Sequence, residues 1–487
     1  MSGRRAYGRE LALNAPTSEI RLIAPTGTLG YGFSVADFLR AVEQHRPHVI
    51  AVDAGSTDPG PYYLGSGESF TERIEIRTEL ETLIESALGA GIPLIVGTSG
   101  GSGARAHVAW TREIVEELAR EHGWSLRLGL IQSELAAAAV EQKLAGGAIL
   151  AFDSGEQVSI EAVRASSCIV AQIGIEPIVE ALRQGAQVVL AGRSCDDAIF
   201  AALPVMLGFD RGLALHLGKV MECGALAAEP ISMDVMLGTL REDCFELEPG
   251  SPNRACTVTS VSAHSLYERE DPFLQSGPGG TLDLQETRVE QIDARRVRVS
   301  GTTYRPDDRY LVKLEGARRV GARAISIAGV RCPTMIARID DVLEEARRRT
   351  REYLADAGVA AEDYRIEFHV YGRDGVMKEL EPNRNAAPHE LGLVIEAVAD
   401  SAELAKTACH HVAGALLHLD YPGQFNNAGN LAFLYSPAEI AAGDVYEFSV
   451  YHLMELSDPL ELVEIEMLDI GHGGVTDQHA DPALTTS

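Results

Sequence analysis

Residues 191–197, with the sequence AGRSCDD, place an arginine and two carboxylates directly after an apolar run. An arginine held in place, such as Arg193, can bind a substrate carboxylate through two parallel hydrogen bonds. Asp196 can act as a general base or orient that arginine, whereas the alternative is that Asp196 or Asp197 caps a following helix. We predict that Arg193 and Asp196 are catalytic. Cys195 is a weaker candidate nucleophile, because the sequence reveals no histidine partner for it.

A second pair of carboxylates, Asp53 and Asp58, lies in the segment DAGSTDPGP, which follows another apolar run. The glycines of this segment would let a ligand approach the backbone closely. We predict that Asp53 is catalytic, as a general base or metal ligand, and that Asp58 contacts substrate. The alternative for Asp58 is a structural turn before Pro59.

The segment GTSGGSG, residues 97–103, also lies between an apolar run and a helical pattern. Backbone N–H groups and the helix dipole at such a place favour a carboxylate or phosphate. We therefore predict that Ser99, Gly100, Gly101 and Ser102 contact a substrate anion, with ordinary turn chemistry as the alternative. The segment lacks the lysine of a Walker A loop and the spacing of a dinucleotide fingerprint, so it does not indicate a nucleotide.

Charged residues elsewhere in the chain complete the set of candidates. They are Lys219, Glu222, His264, Lys313, Glu315, Arg373, Asp374 and His389. We predict that Lys219 and Arg373 bind substrate. Lys313 and Glu315 alternate on a predicted strand and could share one face. For any single member of the set, an ordinary surface salt bridge is the alternative.

The elements that must position these residues alternate between short apolar runs and helical patterns in the first half of the chain. The runs at 20–24, 48–52 and 93–96 are apolar apart from Arg21 and His48, which is typical of strands buried on both faces. This order predicts an α/β fold with a doubly wound, mostly parallel sheet. Ligands bind beyond the carboxyl ends of such strands, where the three candidate loops should meet.

The second half of the chain has a different pattern. Short, irregular strands are expected from residue 233 to about 310, followed by the order β-α-β-β-α-β, which is the ferredoxin-like split βαβ arrangement. Ser401 is the predicted N-cap of the second helix of this unit. The predicted domains are a flexible N-terminus at 1–19, a Rossmann-like domain at 20–232, a smaller α+β domain at 233–470 and a disordered tail at 471–487.

The composition narrows the class of protein. Asp and Glu number 71 and Lys and Arg number 42 in the 487 residues, which gives a net charge of −29. A surface this acidic repels nucleic acids and anionic membranes, and no run approaches about 18 apolar residues. The seven cysteines show no C-x-x-C spacing, which argues against a disulfide framework or zinc knuckle. We expect a cytoplasmic enzyme that forms a homo-oligomer.

Several short motifs are similar to those of the acyclic terpene utilisation (AtuA-type) family. They are DAGSTD at 53–58, YYLGSG at 62–67, AGR at 191–193, ECG at 222–224, GGTLD at 279–283, VKLEG at 312–316, YGRDG at 371–375, YPG at 421–423 and AGNLAF at 428–433. The resemblance covers about residues 21–466. It implies a role in the breakdown of citronellol-type terpenes through acyl-CoA intermediates, and a small companion protein as partner.

These observations together favour a redox-neutral lyase or isomerase, most simply a hydratase or dehydratase, acting on a small carboxylic acid or its CoA thioester. Arg193 and the glycine loop would hold the anion, and Asp53 or Asp196 would be the base. Mg²⁺ or Mn²⁺, and CoA as part of the substrate, are the candidate cofactors, although the sequence fixes none. The alternatives are a thioester hydrolase or acyl transferase that uses Cys195 or water, and a non-catalytic ligand-binding subunit that needs a partner.

Overall fold

The computed structural model describes residues 18–152, 155–383, 386–425, 429–471 and 476–477. The described residues form a mixed α/β protein with 21 strands and 13 α-helices. The strands are β1 (Ile20–Ala24), β2 (Val49–Asp53), β3 (Leu94–Gly97), β4 (Leu126–Gln132), β5 (Ile149–Ala151), β6 (Cys168–Gln172), β7 (Val188–Ala191), β8 (Met236–Leu240), β9 (Cys244–Pro249), β10 (Leu274–Gly277), β11 (Gly280–Asp283), β12 (Arg288–Gln291), β13 (Val297–Ser300), β14 (Thr303–Pro306), β15 (Tyr310–Val330), β16 (Tyr364–Tyr371), β17 (Leu391–Ala399), β18 (Ala432–Phe433), β19 (Glu439–Leu456), β20 (Glu464–Ile470) and β21 (Thr476–Asp477). The helices are α1 (Val35–His45), α2 (Pro61–Ser66), α3 (Arg73–Ala90), α4 (Arg105–His122), α5 (Ala137–Ala145), α6 (Ile160–Ala165), α7 (Ile175–Arg183), α8 (Ala198–Met206), α9 (Arg211–Met221), α10 (Val258–Leu266), α11 (Pro333–Ile336), α12 (Ile339–Asp356) and α13 (Ala402–His418).

The chain forms two compact units. The first contains residues up to 318 and from 448 onward, and the second contains residues 319–447. Strands β8 to β14, which the sequence assigns to a second domain, belong to the first unit. The domain boundary after residue 232 stays a prediction. The segments predicted to be flexible, 1–19 and 471–487, fall almost entirely outside the described residues.

An eleven-stranded sheet lies at the centre of the first unit. Its strand order is β12-β13-β9-β8-β1-β2-β3-β7-β4-β20-β21. The five central strands, β1, β2, β3, β7 and β4, are parallel, and the flanking strands pair antiparallel. The chain passes along β1, β2 and β3 to β4, and β7 later enters between β3 and β4. The mostly parallel character expected from the sequence is therefore confined to the middle of the sheet.

Apolar cores cover both faces of this sheet. Ile50 and Val52 of β2 belong to one core, together with side chains of α1, α3 and α4. Val49 and Ala51 of the same strand belong to the other core, which contains α7, α8 and α9. Alternate residues of a strand point to opposite faces, so burial of both faces requires an uninterrupted apolar run.

The strand pairing brings the three candidate loops to one edge of the sheet. Asp53 at the end of β2 pairs with Gly97 at the end of β3, and Val96 of β3 pairs with Leu190 of β7. Because these strands are parallel, their carboxyl ends lie side by side. The segments that follow them therefore start from neighbouring positions.

The second unit contains β15 from Arg319 onward, α11, α12, β16, β17, α13, β18 and the beginning of β19. Residues 322–330 of β15 pair antiparallel with β17, which pairs antiparallel with β16. Helices α12 and α13 bury their apolar side chains in one core with these strands. The predicted N-cap is confirmed, because the Ser401 hydroxyl accepts a hydrogen bond of 3.2 Å from the Leu404 N–H.

Among the described residues, no helix combines the length and the apolar character needed to cross a lipid bilayer.

The close approach of two of the candidate loops gives a stability prediction. A Cβ atom added to Gly55 would lie 1.9 Å from the carbonyl oxygen of Gly101. Gly55→Ala must therefore displace backbone, and we expect it to lower the free energy of unfolding by on the order of 3 kcal/mol in urea denaturation. The control is Gly146→Ala, where φ is −79° and the nearest atoms are 3.5 Å away, so the change should be small. Equal stability of the two variants would contradict this packing.

Candidate functional site

Arg193 forms a buried ion pair just beyond the carboxyl end of β7. The residue is 3% exposed, and its Nε donates a hydrogen bond of 2.7 Å to Oε2 of Glu315 on β15. Nη2 donates to the other carboxylate oxygen at 3.4 Å. Nη1 is 3.5 Å from the hydroxyl oxygen of Thr98 and 3.4 Å from the carbonyl oxygen of Ser194. The guanidinium group is thus already held by the protein.

Glu315 is fully buried and receives two more hydrogen bonds besides those from Arg193. The hydroxyl of Thr57, in the loop after β2, donates to Oε1 at 3.0 Å, and Lys313 Nζ lies 2.7 Å from the same oxygen. Burial alone would raise the pKa of Glu315, but the charges of Arg193 and Lys313 outweigh it and lower the pKa to about 2. Glu315 is therefore an ionised anchor for the loops after β2 and β7.

Asp53, at the end of β2, is a strongly perturbed acid of the site. Its side chain is 8% exposed, and its buried Oδ1 has no hydrogen-bond partner among the described residues. Burial raises the pKa of Asp53 well above its ordinary value, and the negative charge of Asp196 adds to this effect. The positive charge of Arg193 opposes the shift without cancelling it. The environment of Asp53 therefore favours the protonated carboxyl.

Asp196 also lies close to the Arg193 charge. Its Oδ1 is 3.5 Å from Nη1 of Arg193, and the side chain is 36% exposed. Burial of that oxygen raises the pKa of Asp196, and the Arg193 charge acts in the opposite direction. Asp197, which follows it, occupies the N-cap position of α8, but its side chain makes no capping hydrogen bond. The geometry therefore does not support a role for Asp196 and Asp197 that is limited to capping the helix.

The end of helix α9 brings another acid and another cation, Glu222 and Lys219, to the same region. The Asp210 side chain caps this helix by accepting a hydrogen bond of 2.8 Å from the Leu213 N–H. At the other end of this helix, Lys219 and Glu222 lie one turn apart. Lys219 Nζ is 2.5 Å from the Glu222 carboxylate and 4.5 Å from the centre of the Tyr267 ring.

The pKa values of this pair reflect its surroundings. Burial raises the pKa of Glu222 to about 8, and the negative charge of Asp196 contributes, although Lys219 opposes the shift. Burial alone would lower the pKa of Lys219, but the charge of Glu222 raises it. Asp53, Asp196 and Glu222 are therefore three acids that influence one another electrostatically.

The glycine loop after β3 is packed rather than open. Ser99 and Ser102 are 0% and 1% exposed, and the Ser99 N–H donates to the carbonyl of Ala191 at 2.9 Å. Gly100 and Gly101 have positive φ angles of 70° and 112°, which suit glycine. At the start of α4, a glutamate already occupies the anion position, since the Arg105 N–H donates to Glu134 at 2.7 Å. The predicted contacts of this loop with substrate stay predictions.

The other predicted substrate contacts lie in different places. Asp58 is exposed on the loop after β2. Lys219 belongs to the cluster at the end of α9. Arg373 lies in the second unit, where it pairs with Asp340 at 2.6 Å and with Asp374 at 3.1 Å. The structure thus brings Asp53, Arg193, Asp196 and Lys219 into one region of the first unit.

Cys195 is not arranged as an activated nucleophile. It is 6% exposed, and burial, reinforced by the negative charges of Asp197 and Asp196, raises the pKa of its thiol well above the ordinary value. The nucleophilic form of cysteine is the thiolate, which such surroundings disfavour.

Among the described residues, no group of three or more His, Cys, Asp or Glu side chains is placed to hold a metal ion. We assign no chemical step to Mg²⁺ or Mn²⁺, and their involvement stays a prediction.

Three residues of this region were missed as site residues by the sequence interpretation. Glu315 and Glu222 appeared only among the dispersed charged residues. Arg269, which lines a cleft together with Cys195 and Asp197, did not appear at all. The one available signal for Glu315 was its alternation with Lys313, which placed both on one face of a strand. Nothing local in the sequence indicates that its partner is Arg193, because the two residues are 122 positions apart.

The buried ion pair gives a prediction about acid stability. Glu315→Gln removes the closest counter-charge of the buried Arg193 and leaves it only the partly exposed Asp196 at 3.5 Å, and we expect a loss of about 3–5 kcal/mol of stability at pH 7 in urea denaturation. The folded pKa of Glu315, about 2, lies below its ordinary value of 4.5. Its contribution is therefore fully present above pH 4.5 and is lost as the pH falls towards 2, so the wild type and the variant should converge in acid.

Glu290→Gln is the matched control, because Glu290 is exposed on β12. It should change stability by less than about 0.5 kcal/mol. A constant gap between wild type and Glu315→Gln from pH 7 to pH 3 would contradict the ion-pair explanation.

Asp53 gives a prediction with the opposite dependence of stability on pH. Its folded pKa is raised, so the unfolded chain releases the proton more readily and stability falls as the pH rises above about 4. Asp53→Asn removes this cost, and we expect about 1 kcal/mol of added stability at pH 7, which disappears in acid. Thermal unfolding at both pH values measures it, with Asp58→Asn as the exposed control. Destabilisation by Asp53→Asn would show instead that the charged carboxylate supports the fold.

Comparison with known proteins gives one match. The family model described as acyclic terpene utilisation family protein AtuA matches residues 68–433, which include Arg193, Asp196, Glu222 and Glu315, whereas Asp53 precedes the matched segment. No curated protein and no solved structure matches this chain. The family model covers most of the chain, and the protein belongs to the acyclic terpene utilisation family AtuA.

Proposed function

We propose that this protein is a redox-neutral lyase or isomerase, most simply a hydratase or dehydratase, that acts on a small carboxylic acid or its CoA thioester. One observation carries the proposal. Two carboxyl groups, the buried Asp53 and the partly exposed Asp196, lie within electrostatic range of each other and of the fixed Arg193 charge, and their environments differ. Acid–base catalysis at neutral pH needs carboxyl groups whose pKa values are raised and separated in this way.

The environments suggest a role for each acid. Asp196 reaches solvent and contacts Arg193, so we assign to it the base that removes a proton from the carbon next to the carbonyl group. Asp53 is more strongly shifted towards its protonated form, so we assign to it the acid. In a dehydration, Asp196 takes the proton, the carbon–oxygen bond breaks, and the Asp53 proton leaves with the hydroxyl group as water.

The family and the sequence motifs are compatible with this chemistry. The family description names acyclic terpene utilisation, a degradation in which acids and their thioesters are expected substrates. The loops at the sheet edge have neither a dinucleotide fingerprint nor a Walker lysine, which supports a reaction without hydride or phosphoryl transfer. Thioester hydrolysis by Cys195 has less support, because its thiol pKa is raised. A non-catalytic role as a ligand-binding subunit is the alternative that the experiment below tests.

The finer descriptions of fold and context are proposals as well. We infer a doubly wound class for the central sheet from its parallel middle strands and its two covered faces. We infer a ferredoxin-like class for the second unit from its order of elements. A cytoplasmic location, a homo-oligomeric state and a small companion protein remain proposals that rest on composition and family resemblance.

Isotope exchange tests the proposed function. Citronellic acid and its CoA thioester are incubated with the protein in D₂O, with and without Mg²⁺ or Mn²⁺, and deuterium at the carbon next to the carbonyl group is followed by NMR. We expect exchange by the wild type and a loss of about 100-fold or more in Asp196→Asn, because the base is removed. Asp243→Asn, an exposed change, is the control and should keep the wild-type rate.

Two results would count against the proposed enzyme or against the role of Asp196 in it. Absence of exchange with both probes under every metal condition would favour the partner-dependent binding subunit. Equal exchange by Asp196→Asn and wild type would remove Asp196 from the mechanism.

A further inference from the structure

Unpartnered buried polar atoms are concentrated at the carboxyl edge of the central sheet. Among the described residues, eleven buried side-chain nitrogen or oxygen atoms have no hydrogen-bond partner. Six of the eleven belong to residues at, or within five positions after, the carboxyl ends of the neighbouring strands β2, β3, β7 and β4. These residues are Asp53, Ser99, Ser102, Gln132, Ser133 and Asp196. A group of this size at one edge indicates that a molecule other than the chain itself completes the hydrogen bonds there.

The three serines of this group are the most completely buried of its members. Ser99, Ser102 and Ser133 are 0%, 1% and 0% exposed. The backbone of two of them is already engaged, since the Ser99 N–H donates to the carbonyl of Ala191 and the Ser133 carbonyl accepts from the Ala171 N–H, both at 2.9 Å. A buried hydroxyl without a partner costs free energy, because water bonds it in the unfolded chain. The hydroxyls are therefore the groups for which a partner is needed.

The same three serines approach one position, Gly192, at the end of β7. A Cβ atom added to Gly192 would lie 2.6 Å from Oγ of Ser133 and 2.9 Å from the carbonyl oxygen of Gly103. Gly103 directly follows Ser102 in the chain. The residue before Gly192 accepts the hydrogen bond from the Ser99 N–H. The segments after β3 and β4 thus bring three residues with unpartnered hydroxyls to the end of β7.

Water is the ligand that fits these hydroxyls. They are closed to solvent, so a substrate carbon chain does not reach them. A water molecule needs only about 10–15 Å³ of space for its centre and about two to four polar partners. A serine hydroxyl can both donate and accept a hydrogen bond, and it carries no charge that would call for an ion.

Asp53 connects this group of serines to the proposed reaction. Its Oδ1 atom is also unpartnered, and it lies 3.1 Å from the position of a Cβ atom added to Gly97, two residues before Ser99. In the proposed dehydration, the Asp53 proton leaves with the substrate hydroxyl group as water. The reverse reaction, hydration, requires water at the same carboxyl group. A water site beside Asp53 would therefore serve both directions.

We propose that the hydroxyls of Ser99, Ser102 and Ser133 hold ordered water inside the carboxyl edge of the sheet, and that this water is the reactant or product at Asp53. The role as reactant rests on the proposed function, whereas the water site itself does not. The proposal assigns water, in place of the substrate anion, to Ser99 and Ser102. It also gives a binding role to Ser133, which the sequence motifs did not single out.

The sign of a stability change tests the water site. Ser99→Ala and Ser133→Ala each remove one hydroxyl from the full-length protein, and urea denaturation measures the unfolding equilibrium constant. If water bonds these hydroxyls, both variants lose hydrogen bonds, and we expect the constant to rise about fivefold. The matched control is Ser326→Ala on β15, whose hydroxyl is also buried and belongs to the one unpartnered side chain described within residues 319–447. A single polar partner does not hold a buried water molecule, so this change should leave the constant equal or lower it.

A high-resolution crystal structure of the full-length protein gives a second readout. We expect water density within hydrogen-bond distance of at least two of the three hydroxyls. Density at one of them or none would overturn the water site. So would alanine variants of Ser99 and Ser133 that are as stable as the wild type or more stable.

Isotope labelling tests the role of the water in the reaction. An unsaturated acid, 3-methylbut-2-enoate, and its CoA thioester are incubated with the protein in H₂¹⁸O, and ¹⁸O in the hydroxyl group of the product is measured by mass spectrometry. We expect incorporation by the wild type and by Ser326→Ala, and a rate about tenfold lower in Ser99→Ala and Ser133→Ala. Incorporation at the wild-type rate in both of these serine variants would remove the bound water from the reaction.

The outcomes separate the water site from the proposed function. Bound water without ¹⁸O incorporation by the wild type would retain the site and reject its role in hydration. The same result together with absent deuterium exchange would also reject the proposed function. Incorporation of ¹⁸O by the wild type without bound water at the serines would retain the function and overturn the site.

Discussion

The ion pair between Arg193 and Glu315 is the interaction on which the arrangement of the site depends. Both residues are almost completely buried, so each loses hydration that only a close and well-oriented partner can replace. The pair has two hydrogen bonds between its members, and Lys313 and Thr57 satisfy the remaining acceptor capacity of Glu315. Because Thr57 follows β2 and Arg193 follows β7, one carboxylate from β15 fixes two loops at the sheet edge.

A fixed cation among acids determines what those acids can do. Arg193 is too strongly bound by Glu315 to neutralise Asp53 and Asp196 completely, so burial still raises the pKa of both. Asp53 lies deeper, whereas Asp196 is partly exposed, and among the described residues one buried oxygen of each lacks a hydrogen-bond partner. Two chemically identical side chains thus acquire different proton affinities through their positions relative to solvent and to one cation, at some cost to stability.

The sequence predicted the local part of this arrangement and not the long-range part. Apolar runs that end in Asp53 and just before Arg193 placed both at the carboxyl edge of a sheet, because burial on both faces requires such runs. The entry of β7 between β3 and β4 could not be predicted, because the order of strands depends on pairing between distant segments. Glu315 and Arg269 were missed for the same reason: an ion pair, or the lack of one, follows from which loops meet in space.

The distribution of cations bears on the proposal that a protein with a net charge of −29 acts on an anionic substrate. Arg193 and Lys219 lie in the region of the candidate site, but Glu315 and Glu222 neutralise their charges. Neither cation therefore attracts a further anion strongly. The acids of this region also limit the charge that a ligand there could carry, since each additional negative charge on the ligand adds repulsion from Asp196 and Glu222. Under the proposed function, a substrate with a single negative charge therefore suits the candidate site better than one with two.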